Sequence, residues 1–299
     1  SSIAAHKETT PAMIDQAAKA ISAIELENSE SERDELAIHL INNALKVQGA
    51  DEIALKVEAK DEEDAFKPDW VNSELDLRVI RDSLLRTRSG RLCLYGPPGT
   101  GKTAFGQWLA RELDTPHLVY KASDLLSRWI GKSEQNIAQA FAKARKQKAV
   151  LQFDEVDSFL QDRQKAQRQY EITQVNELLM QMEVYDGVFI ASTNLFRDLD
   201  EACLRRFDAV MKFNFLTPAT AWAMFVKTCE KLQIADIQPS HEGRLRHLVQ
   251  LTPGDFTQVE RRARLFPLEG AEQVLRALEA AVAIKKTGPS RPVGFLAAA

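Results

Sequence analysis

Apolar positions along this chain follow two rhythms, and the change between them divides the sequence. Met13, Ile14, Ala17, Ala18, Ile21 and Ile24 fall at helical spacing, and Leu36, Leu40, Ile41, Ala44 and Leu45 repeat the spacing after a break rich in serine and glutamate. The two runs predict a helical hairpin. The stretch from Asp51 to Asp64 is acidic, with Asp61-Glu62-Glu63-Asp64 reading as a linker, so a helical N-terminal region is expected over residues 1–65. From Arg91 the rhythm changes to short apolar runs separated by helical segments. Strands are predicted at Leu92–Tyr95, Leu118–Lys121, Val150–Phe153, Val188–Ser192 and Val210–Phe215, and helices at Thr103–Leu113 and Ser133–Lys146. Such alternation specifies an α/β layer with a five-stranded parallel sheet flanked by crossover helices, placed at residues 66–216.

Beyond Thr217-Pro218, an N-cap followed by proline in the first helical turn, no strand pattern remains. Trp222, Phe225, Val226 and Cys229, then Leu245, Leu248 and Val249, then Val274, Leu275, Leu278 and Val282 mark successive helices. A small all-helical lid subdomain is expected over 217–287 and a tail over 288–299. The region 1–65 reads either as a recruiter of substrates or adaptors or as a packing appendage.

Composition narrows the function classes. The 299 residues are 44% hydrophobic and 27% charged, an ordinary balance for a chain with a packed core, and the net charge is −4. An acidic chain has no global field drawing it to nucleic-acid phosphates or anionic lipid. Cys93, Cys203 and Cys229 are too few and too scattered for a disulfide framework or a zinc site and read as packed thiols. No apolar run approaches the ~20 residues of a membrane span and no leader pattern opens the chain, so the expected compartment is cytoplasmic. The first residues, Ser1-Ser2 rather than Met, are compatible with processing or excision from a longer polypeptide.

The chemistry lies at the ends of the predicted strands. Gly96-Pro97-Pro98-Gly99-Thr100-Gly101-Lys102-Thr103 matches G-x-x-x-x-G-K-[ST] in full, between a strand and a helix that continues through Ala104. Glycines let backbone amides turn around phosphate oxygens, Lys102 reaches the β- and γ-phosphates of ATP, and Thr103 offers a hydroxyl to Mg2+. The competing reading, a glycine-rich turn, does not explain the lysine, threonine and helix together. Asp154-Glu155 ends another strand: Asp154 suits Mg2+ and its waters, and Glu155 suits a general base for the attacking water.

Together with Ile190-Ala191-Ser192-Thr193-Asn194 and Leu199-Asp200-Glu201-Ala202-Cys203-Leu204-Arg205-Arg206-Phe207-Asp208, these motifs resemble the AAA+ ATPases over roughly residues 70–285. Within that family they are most similar to the AAA clade of katanin- and spastin-like severing enzymes and AAA unfoldases. The resemblance implies a P-loop NTPase fold, with Asn194 as the residue that senses the γ-phosphate. It also implies Arg205 and Arg206 as fingers acting on a neighbouring subunit's nucleotide, and hence a homo-oligomeric ring, expected to be a hexamer. Leu125–Glu134 corresponds to the family's channel loop, with Trp129, Ile130 and Gly131 as the substrate-gripping residues. A tryptophan is more often core, but its setting between Arg128 and Gly131-Lys132-Ser133 favours the channel. Arg163, Lys165 and Arg168 are weaker candidates for a second channel loop.

Two departures stand out. Gln152 replaces a usually apolar residue of the acidic strand. Thr252-Pro253-Gly254-Asp255 stands where a sensor arginine is absent in this clade, which implies lid contact with the nucleotide through the Gly254 backbone. The leading expectation is an ATP-driven remodeller threading a protein substrate. The alternatives are a nucleic-acid motor or loader, disfavoured by charge, and a nucleotide-switched scaffold, disfavoured by the complete set of catalytic residues.

Overall fold

A computed structural model describes residues 66–127, 129, 131–158, 169–195 and 201–287. The chain divides into a unit Ser1–Glu63 and a unit Asp64–Ala299. The predicted N-terminal hairpin and the C-terminal tail lie outside the described residues, as do Arg128, Ile130, Arg163, Lys165 and Arg168.

The second unit begins with a one-turn 3-10 helix, Pro68–Trp70, and then runs β1 (Asn72–Ser73), α1 (Leu77–Thr87), β2 (Gly90–Tyr95), α2 (Lys102–Glu112), β3 (His117–Lys121), α3 (Ala122–Leu125) and α4 (Lys132–Gln147). It continues with β4 (Val150–Asp154), α5 (Gln169–Val184), β5 (Val188–Thr193), α6 (Glu201–Leu204) and β6 (Ala209–Asn214), and closes with α7 (Pro218–Lys231), α8 (Pro239–Leu245), α9 (Pro253–Ala263) and α10 (Ala271–Thr287). The sheet order is β1-β6-β2-β5-β4-β3. All five expected strands are present and pair in parallel. One edge was not expected: β1 adds a sixth, antiparallel strand on β6, with Asn72 opposite Asn214.

Alternation along the strands separates two cores. Leu92, Leu94, Val150, Val188 and Ile190 join Leu77, Leu84, Phe105 and Leu109 of α1 and α2 on one face. Cys93, Leu151, Phe153, Phe189 and Ala191 join Ile137, Phe141, Leu178 and Met182 of α4 and α5 on the other. A strand buried on both faces needs this period of two, with both sets apolar. Phe141 sits at the hub of the second core, its ring 5.2–5.5 Å from those of Phe153, Tyr185 and Phe189.

The four last helices pack on a core of their own around Phe225, Leu245, Phe256, Leu275 and Leu278. Thr217 Oγ1 accepts from the Thr220 amide at 3.2 Å, with Pro218 opening α7. Val249, expected in this core, is instead exposed, because the chain has left α8 by then. All three cysteines are buried and none is in a disulfide. Among the described residues no helix is long and apolar enough to cross a membrane.

Candidate active site

Parallel strands direct their carboxyl ends to one edge of the sheet, and there β2, β5 and β4 deliver their next residues side by side. After β2 comes the loop Gly96–Gly101. A Cβ on Gly96 (φ +139°) would lie 2.0 Å from the Phe213 carbonyl oxygen, so glycine is required where the loop crosses the end of β6. Pro97 and Pro98 follow, the Pro97 carbonyl accepting from Thr100 Oγ1 at 2.8 Å. Gly101 starts α2 with no side chain occupying the first helical amides, and Ala104 lies in the first turn. Such an end, with open N–H groups and the positive pole of the helix, draws anions.

Lys102 is 8% exposed. Its Nζ donates to Gly96 O at 2.8 Å, Pro97 O at 2.9 Å and Asn194 Oδ1 at 2.8 Å. Burial pushes its pKa down to about 8, against the pull of Asp154 and Asp157. All three acceptors are uncharged, so among the described residues this buried ammonium has no anion in contact; phosphate oxygens entering the loop would supply one. A nucleotide triphosphate therefore fits the loop chemically.

Thr103 Oγ1 donates to Asp154 Oδ2 at 2.8 Å. A hydroxyl and a carboxylate thus converge at the mouth of the loop, hard oxygen donors of the kind Mg2+ takes together with phosphates and water. Among the described residues no group of three or more His, Cys, Asp or Glu could hold a metal by itself. Glu155 leaves β4 exposed and in the left-handed region, φ +58°. A non-glycine residue there carries a strain on the order of 1 kcal/mol, and such strain concentrates at functional turns.

Asn194 follows β5, the neighbour of β2, and its turn is held from below. Asp157 accepts from Thr193 Oγ1 and, at 3.3 Å, from the Leu195 amide. Burial raises the Asp157 carboxyl pKa. Asp157 is not among the residues the motifs single out; its signal in the sequence is its place in the acidic run Asp154-Glu155-Val156-Asp157.

The lid meets the loop backbone to backbone. Gly254 N donates to Gly99 O at 2.9 Å, and a Cβ on Gly254 would come within 3.0 Å of Gly99 Cα. The Gly254 amide thus grips the loop itself rather than lying open to a ligand. Behind it, Asp255 Oδ2 accepts from the Thr252 amide at 2.7 Å and from Lys285 Nζ at 2.6 Å.

Arg205 and Arg206 stand at the opposite edge. They follow α6 and precede β6, which pairs with β2 so that Ala209 lies opposite Leu92. At ~3.3 Å per residue, the strand separates them from their own chain's loop by on the order of 15 Å. Arg205 is exposed. Arg206 Nε donates to Glu183 Oε1 at 2.6 Å, in a pair whose side chains are 38% and 50% exposed. Ion pairs this open are worth ~0–1 kcal/mol and exchange partners readily.

Trp129 is 80% exposed, which removes it from the core. The loop that presents it is pinned at its base, Ser127 N donating to Ser133 Oγ at 2.8 Å and Trp129 N to Ser127 Oγ at 3.3 Å. Gly131, φ +78°, has open space around it. Ile130 lies outside the described residues.

The family model described as "ATPase family associated with various cellular activities (AAA)" matches residues 92–215. An uncharacterized AAA family ATPase, y4kL, of Sinorhizobium fredii (strain NBRC 101917 / NGR234) is 40% identical over 138 residues, 45% of this chain and 42% of that protein. Spastin of Anopheles gambiae is 32% identical over 199 residues, 62% of this chain and 23% of its own. The chain thus spans less than half the length of these curated relatives. Among solved structures, the FIGL-1 AAA domain in complex with ADP superposes with a TM-score of 0.51 at 23% identity, covering 69% of this chain and 80% of that one. A second structure of the FIGL-1 AAA domain gives 0.53 at 22% identity, over 71% and 85%.

Proposed function

We propose that this chain, whose residues 92–215 match the AAA family model, hydrolyses ATP in a homo-oligomeric ring, a hexamer by family resemblance, and remodels a protein substrate drawn through the pore. The observation that carries the reading is the buried Lys102 ammonium, hydrogen-bonded among the described residues to three uncharged acceptors, beside the converging Thr103 and Asp154 oxygens.

Each residue has a defined task. Gly96–Thr103 and the start of α2 bind the phosphates, and Lys102 neutralises the β- and γ-oxygens. Thr103 and Asp154 would hold Mg2+, which supplies positive charge to the transferring phosphoryl group. Glu155 accepts the proton of the attacking water as it adds to the γ-phosphorus and the bond to the β-phosphate oxygen breaks. Asn194, shared with Lys102, orients that water. Arg205 and Arg206 serve the nucleotide of the adjacent subunit, which their place at the far edge of the sheet favours. Trp129 presents a flat apolar ring that grips extended polypeptide without reading its sequence. The acidic balance of charge favours a protein over a nucleic acid as the substrate.

The shared site makes turnover per chain depend on assembly. Steady-state hydrolysis measured across a dilution series, with oligomer size followed by sedimentation, should rise with concentration. Arg205→Ala combined with Arg206→Ala should lose ~10^3-fold or more while still binding nucleotide. Constant turnover by a protein that stays monomeric rules the shared site out.

A further inference from the structure

Gln152 sits in the middle of β4, wholly buried, on the face that packs against α2. An amide there must place both of its ends. Its Nε2 donates to Asp154 Oδ1 at 2.8 Å, and its Oε1 lies 2.9 Å from His117 Nε2. The orientation is dictated by chemistry: an ionised carboxylate only accepts, so the NH2 end faces Asp154 and the carbonyl end faces His117. His117 then carries a proton on Nε2. Burial lowers the His117 pKa, which favours the neutral ring with that one proton placed.

Space for the pair is made by a third residue. A Cβ on Gly106 would lie 1.9 Å from Gln152 Oε1 and 3.0 Å from His117 Nε2. Glycine inside a helix is less favourable than alanine, and in α2 it opens the slot that Gln152 and His117 fill. Elements remote in sequence, α2, β3 and β4, therefore converge on one atom, Asp154 Oδ1, to which Ser192 Oγ also donates. The other carboxylate oxygen is left to Thr103.

We propose that Gln152, backed by His117 and seated by Gly106, is a positioning residue that fixes the Asp154 carboxylate with Oδ2 turned to Thr103, ready for Mg2+. The inference rests on the Mg2+-ATP reading above and adds to it an outer layer that an apolar residue at this position could not provide. Outer hydrogen-bond partners of metal ligands orient them and set their affinity.

The test is a Mg2+ titration of the binding of a fluorescent ADP analogue to the full chain, alongside the same binding in EDTA. Gln152→Leu should raise the Mg2+ concentration for half-effect by ~10–100-fold, with affinity in EDTA unchanged and the thermal midpoint held. Gly106→Ala, which pushes Gln152 out of its slot, should give the same Mg2+ defect and serves if Gln152→Leu fails to fold. In a Gln152→Ala background, where the methyl has lost its closest contact and the His117 ring can shift into the space the amide leaves, Gly106→Ala should add no further defect. An unchanged Mg2+ half-effect in folded Gln152→Leu reduces Gln152 to packing and overturns the proposal; so does an equal loss in EDTA, which signals general distortion. Wild-type chain that binds no nucleotide under either condition overturns the ATP reading itself, a different result.

Discussion

Lys102 shows how a single side chain can carry the ligand dependence of a site. Its ammonium is buried against two carbonyls and an amide, and its pKa falls to about 8 from an ordinary 10.5. The unfolded chain therefore binds the proton more tightly than the folded one. The penalty is complete below pH 8, on the order of 3 kcal/mol, and is relieved as pH rises from about 8 towards 10.5. Stability without nucleotide should accordingly gain from Lys102 over that window. Phosphates in the loop restore the charge, so nucleotide binding at pH 8.5 should take up protons, and at pH 6.5 hardly any. Calorimetry in buffers of different ionisation enthalpy reads this directly; equal enthalpies in all buffers at pH 8.5 would dismiss it. The loop and the acidic pair were legible because their chemistry is contiguous in sequence. The partnership of Gly106, His117 and Gln152 was not, because it depends on the β3–β4 register that sets His117 beside Val150. Gln152 read as a blemish on an apolar strand until its partners were in place.

At the scale of elements, the lid is joined to the loop through the start of α9. Thr252 and Asp255 cap that helix reciprocally, and Lys285 from α10 closes on Asp255 at 2.6 Å, with Asp255 itself buried. Lys285→Met removes the cation and leaves the carboxylate held by Thr252 alone. We expect a loss of about 1–3 kcal/mol in denaturant unfolding, together with weaker nucleotide binding as the Gly254 grip on Gly99 loosens. An unchanged midpoint would show that the pair is incidental. The inner strands β2, β4 and β5 were readable because a strand buried on both faces writes a nearly continuous apolar run, whereas β3 at the edge and β6 with its exposed Lys212 kept only short apolar stretches. β1 was not, since two residues carry no period, and its place on β6 comes from tertiary pairing. Val249 followed the helical spacing of Leu245 and Leu248, yet α8 stops at Leu245 and the period lapses with it.

For the whole molecule, the exposed Trp129 and the outward arginines place the proposed work outside any one chain's core. Trp129→Ala should leave unfolding free energy within ~0.5 kcal/mol, the range of surface substitutions, while capture of casein, used as a generic unfolded polypeptide, falls below detection. Gross unfolding of this variant would return Trp129 to a structural role. The polarity of the sheet has a wider consequence. With the phosphate loop at one rim and Arg205 and Arg206 towards the other, a head-to-tail contact would set the arginine rim of one chain against the loop rim of the next. Repeated from chain to chain, such a contact must either close on itself or grow into a filament. In such an assembly a chain that has lost its arginines would silence its neighbour's pocket and leave its own intact, so damage in mixed populations would be felt one seat away from the lesion.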